Sequence, residues 1–165
     1  MTPGSIGFAR TTGWMGRLIR LGEALRFKRG KEWNHVFIVS DEIAEGLGPL
    51  IIQATIRGVT DNAPLATVAP GGKFVVPPLP DGVDAAKVLE FAKAQVGQRY
   101  GFLTILAIAC DISTWNWVPA FCGSRKPSWI CSALGAESLR FGGWLHNWVN
   151  AATVMPSALY EVYVP

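Results

Sequence analysis

The chain has 165 residues, 50% of them hydrophobic and 16% charged, with a formal net charge of +3. That length and apolar content can bury one sizeable core, which excludes a disordered polymer and predicts a single domain over residues 1–165. Eighteen glycines and eleven prolines imply many turns, so a mixed α+β or α/β fold is expected in place of a plain helical bundle.

Met1-Thr2-Pro3-Gly4-Ser5 lacks a basic region followed by an apolar core, so no secretory signal peptide is read there and synthesis in the cytoplasm is the default. Residues 4–9 suit a short entry strand. From Thr12 or Gly13 a helix is predicted to run to about Lys28, with Trp14, Leu18, Leu21 and Leu25 on one apolar face. Seven cations between Arg10 and Lys31 face the single acid Glu23, a local charge of +6 that leaves −3 for the remainder. Arg17, Arg20, Arg26 and Lys28 thus offer either a peripheral contact for anionic membrane or polymer, or an ordinary solvated helix face. No motif that reads nucleic acid accompanies the charge, and nucleic-acid binding is not inferred.

Trp33 to Ser40 is the clearest strand, rich in β-branched and aromatic residues, with His35, Phe37 and Val39 on one face and Val36 and Ile38 on the other. Apolar residues on both faces predict a strand covered on both sides. Leu50 to Ile56 reads as its antiparallel neighbour, interrupted by Gln53, whose amide needs a partner if buried. A histidine Nδ1–H on the adjacent strand is a candidate donor to it, which would leave Nε2 free. Residues 64–80 are turn-rich around a short strand, Lys73 to Val76. Asp81 is then expected to cap a helix ending at Gly97, with Ala85, Val88, Leu89, Ala92 and Val96 as its buried stripe.

The apolar run Phe102 to Cys110 is far short of the roughly 20 residues that span a bilayer and is expected to be a buried helix. A tryptophan-rich segment follows with Trp115 and Trp117, suited either to packing or to a pocket for a sugar, peptide or acyl chain. Ser128 is expected to cap a helix with Trp129 first and Cys131 third. A thiol in a helix's first turn can ionise below its free pKa of about 8.5, although a buried structural cysteine is the alternative meaning. Residues 154–163 read as a final turn and strand. Cys110, Cys122 and Cys131 are an odd number without C-x-x-C spacing, so neither a disulfide framework nor a metal site is predicted, and no cofactor is expected.

A helix-borne cysteine with a strand-borne histidine and a polar residue on the next strand defines a papain-like set of roles, here in the order His35, Gln53, Cys131. The segments Asn34–Val39, Ile51–Ala54 with Gly58-Val59, Val96–Phe102, Ile130–Leu134 and Met155–Tyr160 together resemble the circularly permuted branch of the NlpC-type, papain-like amidases, often called YiiX-like, with lecithin:retinol acyltransferase as a distant relative. The resemblance implies an α+β fold in which an antiparallel sheet packs against the nucleophile helix. It also implies Cys131 as nucleophile, His35 as general base and Gln53 as the residue orienting the imidazole, with Tyr100, Ser132 and Trp129 lining the oxyanion and substrate region. Many relatives carry Glu where this chain has Gln53, and an amide orients an imidazole without stabilising its positive form by a full charge. His146 is a rival base.

Three functions follow from the resemblance. One is a cysteine hydrolase cutting peptide amides, above all in cell-wall stem peptides, reached from a phage particle or at lysis. The second is a lipid amidase or acyltransferase. The third is a non-catalytic, structural or virion-associated relative.

Overall fold

The computed structural model describes residues 1–13, 32–68, 73–101, 128–145 and 154–164. The predicted basic helix from residue 14 to Lys28, the apolar run from Phe102 to Cys110, Trp115, Trp117, Cys122 and His146 lie outside the described residues.

The fold is α+β, built on a five-stranded antiparallel sheet in the order β4-β3-β2-β1-β5. Its strands are β1 (Ile6–Ala9), β2 (His35–Ala44), β3 (Gly48–Thr55), β4 (Gly58–Pro64) and β5 (Phe74–Val75). β2 lies in the middle, pairing with β1 through Ile6↔Ile38 and Ala9↔His35, and with β3 through Ile38↔Ile52. Its β-branched run forms a strand because both of its faces are covered, as the sequence pattern predicts. On one face Val36 and Ile38 join Ile6, Phe8, Ile52 and Ala54 in the main core. On the other, Phe37 and Val39 join Ala9, Ile51 and Leu65.

Four helices complete the described chain: α1 (Leu65–Val68), α2 (Ala85–Ala94), α3 (Cys131–Phe141) and α4 (Pro156–Tyr163). The main core lies between the sheet and α2, α3 and α4, which contribute Val88 and Ala92, Leu134 and Leu139, and Leu159 and Tyr163. α3 approaches β2 closely because Gly135 presents no side chain there: a Cβ would lie 2.9 Å from Val36 Cγ1. Among the described residues no helix is long and apolar enough to cross a membrane.

Several local expectations are corrected. Asp84, in place of Asp81, caps α2, its Oδ1 accepting from the Ala86 and Lys87 N–H groups at 2.9 and 3.3 Å. The closing segment is a helix, not a strand. Pro156 occupies its start, where a missing N–H costs nothing, and Leu159 and Tyr163 face the core. Gly58–Pro64, which carries few strand-forming residues, is drawn into the sheet by pairing with β3 through Gln53↔Thr60 and Ala54↔Val59. Ser128-Trp129 forms a short strand, not a helix start.

The face of β2 opposite α3 depends on a missing side chain in β1. A Cβ on Gly7 would lie 2.1 Å from Phe37 Cζ, so the ring occupies the space a side chain would need. Gly7→Ala is therefore expected to destabilise the fold by about 1–3 kcal/mol through overpacking. In urea unfolding, Gly7→Ala combined with Phe37→Leu should lose less than the sum of the single changes.

Candidate active site

The site is built at one end of the sheet, where β2 begins and β3 ends. Asn34 fixes the entry to β2. Its Oδ1 accepts from the Thr11 N–H at 2.8 Å, its Nδ2 donates to the Thr11 carbonyl at 3.0 Å, and its own N–H donates to the Ala9 carbonyl at 3.1 Å. His35, the next residue, opens the strand and is buried. Gln53 is buried on β3, and its Oε1 lies 2.7 Å from His35 Nε2.

An amide oxygen only accepts, so this bond requires the proton on Nε2 and leaves the Nδ1 lone pair as the basic atom of the ring. The pairing of His35 with Gln53 is as expected, but the nitrogens are exchanged: Nε2 is occupied and Nδ1 remains. Burial lowers the His35 pKa below its ordinary 6.5, with the Gln53 bond opposing part of that shift. The ring is accordingly neutral at pH 7.

Cys131 is positioned by a different set of contacts. Arg99-Tyr100 (β6) and Ser128-Trp129 (β7) form a two-stranded parallel ribbon in which Tyr100 pairs with Trp129 and the Gly101 N–H donates to the Trp129 carbonyl at 3.0 Å. The ribbon is held to the start of β4 by the Val59 N–H donating to the Gln98 carbonyl (3.0 Å) and the Gly97 N–H donating to the Val59 carbonyl (2.9 Å). Trp129 is anchored on α2, with its indole N–H donating to Gln95 Oε1 at 3.1 Å and its ring edge-to-face with Phe91. Gln95 and Phe91 thus position the segment before the thiol, a role with no local sequence signal because the partners are 34 residues apart.

Two residues after Trp129, Cys131 starts α3. Ile130 stands at the N-cap position with no side-chain hydrogen bond. Strand pairing takes Ser128 and Trp129 out of the helix, so Cys131 is the first helical residue, not the third. It remains in the turn whose N–H groups lack intrahelical acceptors and where the dipole favours negative charge. Cys131 is buried, takes part in no disulfide and packs in the main core with Tyr100 and Trp129 against it. Burial pushes the Tyr100 hydroxyl well above its ordinary pKa, and charge on Cys131 pushes it further. Tyr100 is therefore a protonated donor throughout the neutral range.

The structure brings His35 to Gln53 and Tyr100 to Cys131; the His35 hydrogen bond is made to Gln53 and not to Cys131. Pairing of His35 with Ala9 places the imidazole on the Phe37 face of β2, as alternation places Gln53 on the Ile51 face of β3. α3 covers the opposite face through Gly135 and Val36. The sheet thus lies between the imidazole and α3. Ser132 does not line an open pocket: it is fully buried, and its hydroxyl donates to the Val154 carbonyl at 2.5 Å. Among the described residues no cluster of three His, Cys, Asp or Glu side chains is placed to hold a metal ion.

Comparison with known proteins gave no match to any protein-family model, curated protein or solved structure.

The buried neutral imidazole sets a pH dependence of stability. Because the folded pKa lies below 6.5, the unfolded chain takes up this proton first, so the His35 contribution is complete above about pH 6.5 and is lost as pH falls toward the folded value. The slope is at most about 1.4 kcal/mol per pH unit. Urea unfolding at pH 7.5, 6.0 and 5.0 should show this loss in wild type and a shallower one in His35→Gln. Gln53→Leu, which strands the Nε2–H, is expected to cost about 1–3 kcal/mol at pH 7.5.

Proposed function

We propose that this chain is a cysteine hydrolase of the circularly permuted papain-like type, cleaving an acyl or peptide amide with Cys131 as nucleophile and His35 as general base. The observation that carries the reading is the buried His35–Gln53 hydrogen bond. It occupies Nε2 and leaves Nδ1 as the basic atom of a neutral ring.

In this mechanism Nδ1 takes the thiol proton and the Cys131 thiolate attacks the carbonyl carbon. Main-chain N–H groups at the start of α3 and the Tyr100 hydroxyl donate to the oxyanion. Collapse of the tetrahedral adduct breaks the C–N bond, and the proton held on Nδ1 goes to the leaving amine. Water, deprotonated by His35, then releases the acyl group from Cys131. Gln53 keeps the ring oriented in both halves without adding charge. Cell-wall stem peptides are the proposed substrate class, with virion association or release at lysis as the proposed route to them. Peripheral contact with an anionic membrane or polymer is assigned to Arg17, Arg20, Arg26 and Lys28.

A second reading, a non-catalytic relative, is favoured by one feature: His35 and Gln53 occupy the sheet face that α3 does not cover. Site-resolved alkylation separates the two. Under the hydrolase reading Cys131 reacts with iodoacetamide at about pH 6, below the range of an ordinary thiol, and His35→Ala slows the reaction about tenfold or more. A Cys131 that alkylates only as an ordinary thiol in both proteins sinks the hydrolase.

Two activity measurements follow. Cys131→Ala should abolish release of stem peptides from purified cell wall while leaving the domain folded, with about 1 kcal/mol lost for the sulfur removed from the core. Gln53→Glu places a carboxylate beside Nε2–H and raises the His35 pKa, so the acid limb of the rate–pH profile should move to higher pH.

A further inference from the structure

The start of α3 lacks a capping side chain. Ile130, at the N-cap position, makes no side-chain hydrogen bond to the first-turn N–H groups, where a serine or aspartate would hold that turn in place. Further along, α3 is anchored by the Ser132 hydroxyl on the Val154 carbonyl and by the close approach of Gly135 to Val36. Cys131, its first residue, is therefore the one most exposed to fraying, and two positions before it stands Trp129, tied to the C-terminal end of α2.

We propose that Gln95 is a positioning residue for Cys131, acting through Trp129 to hold the first turn of α3 around the thiol. The proposal rests on Cys131 as the reactive group of the hydrolase reading, and not on His35 as its base.

The Gln95 amide is engaged at both ends. Its Oε1 accepts from the Trp129 indole N–H at 3.1 Å, and its Nε2 donates to the Phe91 carbonyl one turn back at 3.4 Å, which turns the oxygen toward the indole. Its main chain is fixed as well. The Gln95 N–H donates to the Ala92 carbonyl, the Gln95 carbonyl accepts from the Gln98 N–H, and the Gln98 carbonyl accepts from the Val59 N–H of β4. Gln95 thus links α2 and the sheet to the indole. The Phe91 ring meets Trp129 edge-on at 5.9 Å, which would bury the indole but leave it free to turn; the hydrogen bond supplies direction. That direction reaches the thiol through a short extended stretch, because the Trp129 carbonyl accepts from the Gly101 N–H at 3.0 Å and Ile130 is extended, with φ −96° and ψ 158°.

The test is the pH dependence of iodoacetamide alkylation at Cys131 in the full chain, read by mass spectrometry. Gln95→Met, similar in volume but without the amide oxygen, should raise the midpoint by about 0.5 pH unit, because a frayed first turn withdraws the N–H groups that favour the thiolate. A change in accessibility alone alters the plateau rate and not the midpoint. Trp129→Phe removes the donor and should raise the midpoint as much, and the two changes combined should add nothing further. Gly7→Ala destabilises the other face of the sheet and should leave the midpoint in place, which separates positioning from general loss of stability. An unshifted midpoint in Gln95→Met, full additivity of the two changes, or an equal shift in Gly7→Ala overturns the proposal. His35→Ala measured beside them keeps the two readings apart. A shift there without one in Gln95→Met overturns the positioning role and leaves the hydrolase standing, whereas the reverse pattern supports the positioning role and removes His35 as the base.

Discussion

The central strand β2 is buried on both faces from His35 to Ser40, and this constraint governs the rest of the molecule. Every polar group on such a strand must find a partner inside the protein, because burial without one costs about 1–3 kcal/mol. The buried part of the strand accordingly carries apolar residues from Val36 to Val39, with polar ones on either side of that run. Asn34 binds Thr11 at the entry, His35 binds Gln53 beside it, and the polar Asp41-Glu42 lies where the strand leaves the core. The imidazole–amide pair is thus a product of the layer architecture as much as of any chemistry it performs. Burial that makes the pair necessary also keeps the ring neutral, the form a general base needs.

The cysteine is held by a more indirect chain of causes. α3 reaches the sheet through Gly135, while its start is set by a two-residue ribbon that is itself docked on β4 and on Gln95 of the α2 C-terminus. Each link is a backbone pairing or a close side-chain contact, so the first turn of α3 is fixed from two directions. Tyr100 belongs to the same ribbon, and its hydroxyl acquires a high pKa from the burial that brings it near the thiol.

Much of this was legible in the residues themselves. The run His35-Val-Phe-Ile-Val-Ser declares a strand, and Gln53 within an apolar stretch declares a partner, so their pairing follows from the cost of an unsatisfied amide. Which ring nitrogen faces Gln53 does not follow, because it depends on a side-chain rotation that periodicity cannot encode. Gly58 to Pro64 is a strand through its neighbour and not through its own pattern. The closing helix carried a usable signal, Pro156 at its first position, that the β-branched and aromatic residues around it obscured. Cys131 stands two positions earlier in its helix than capping by Ser128 implies, because pairing with β6 outweighs the capping preference. The sheet face that α3 covers is a tertiary choice, and it separates Cys131 from the His35 face in a way residue order alone does not reveal.

The parallel ribbon has a topological consequence. Gly101 and Trp129 are joined by a main-chain hydrogen bond, so positions 28 apart in sequence meet just ahead of the thiol, and the start of α3 is registered by a contact between distant parts of the chain and not by its own capping residue.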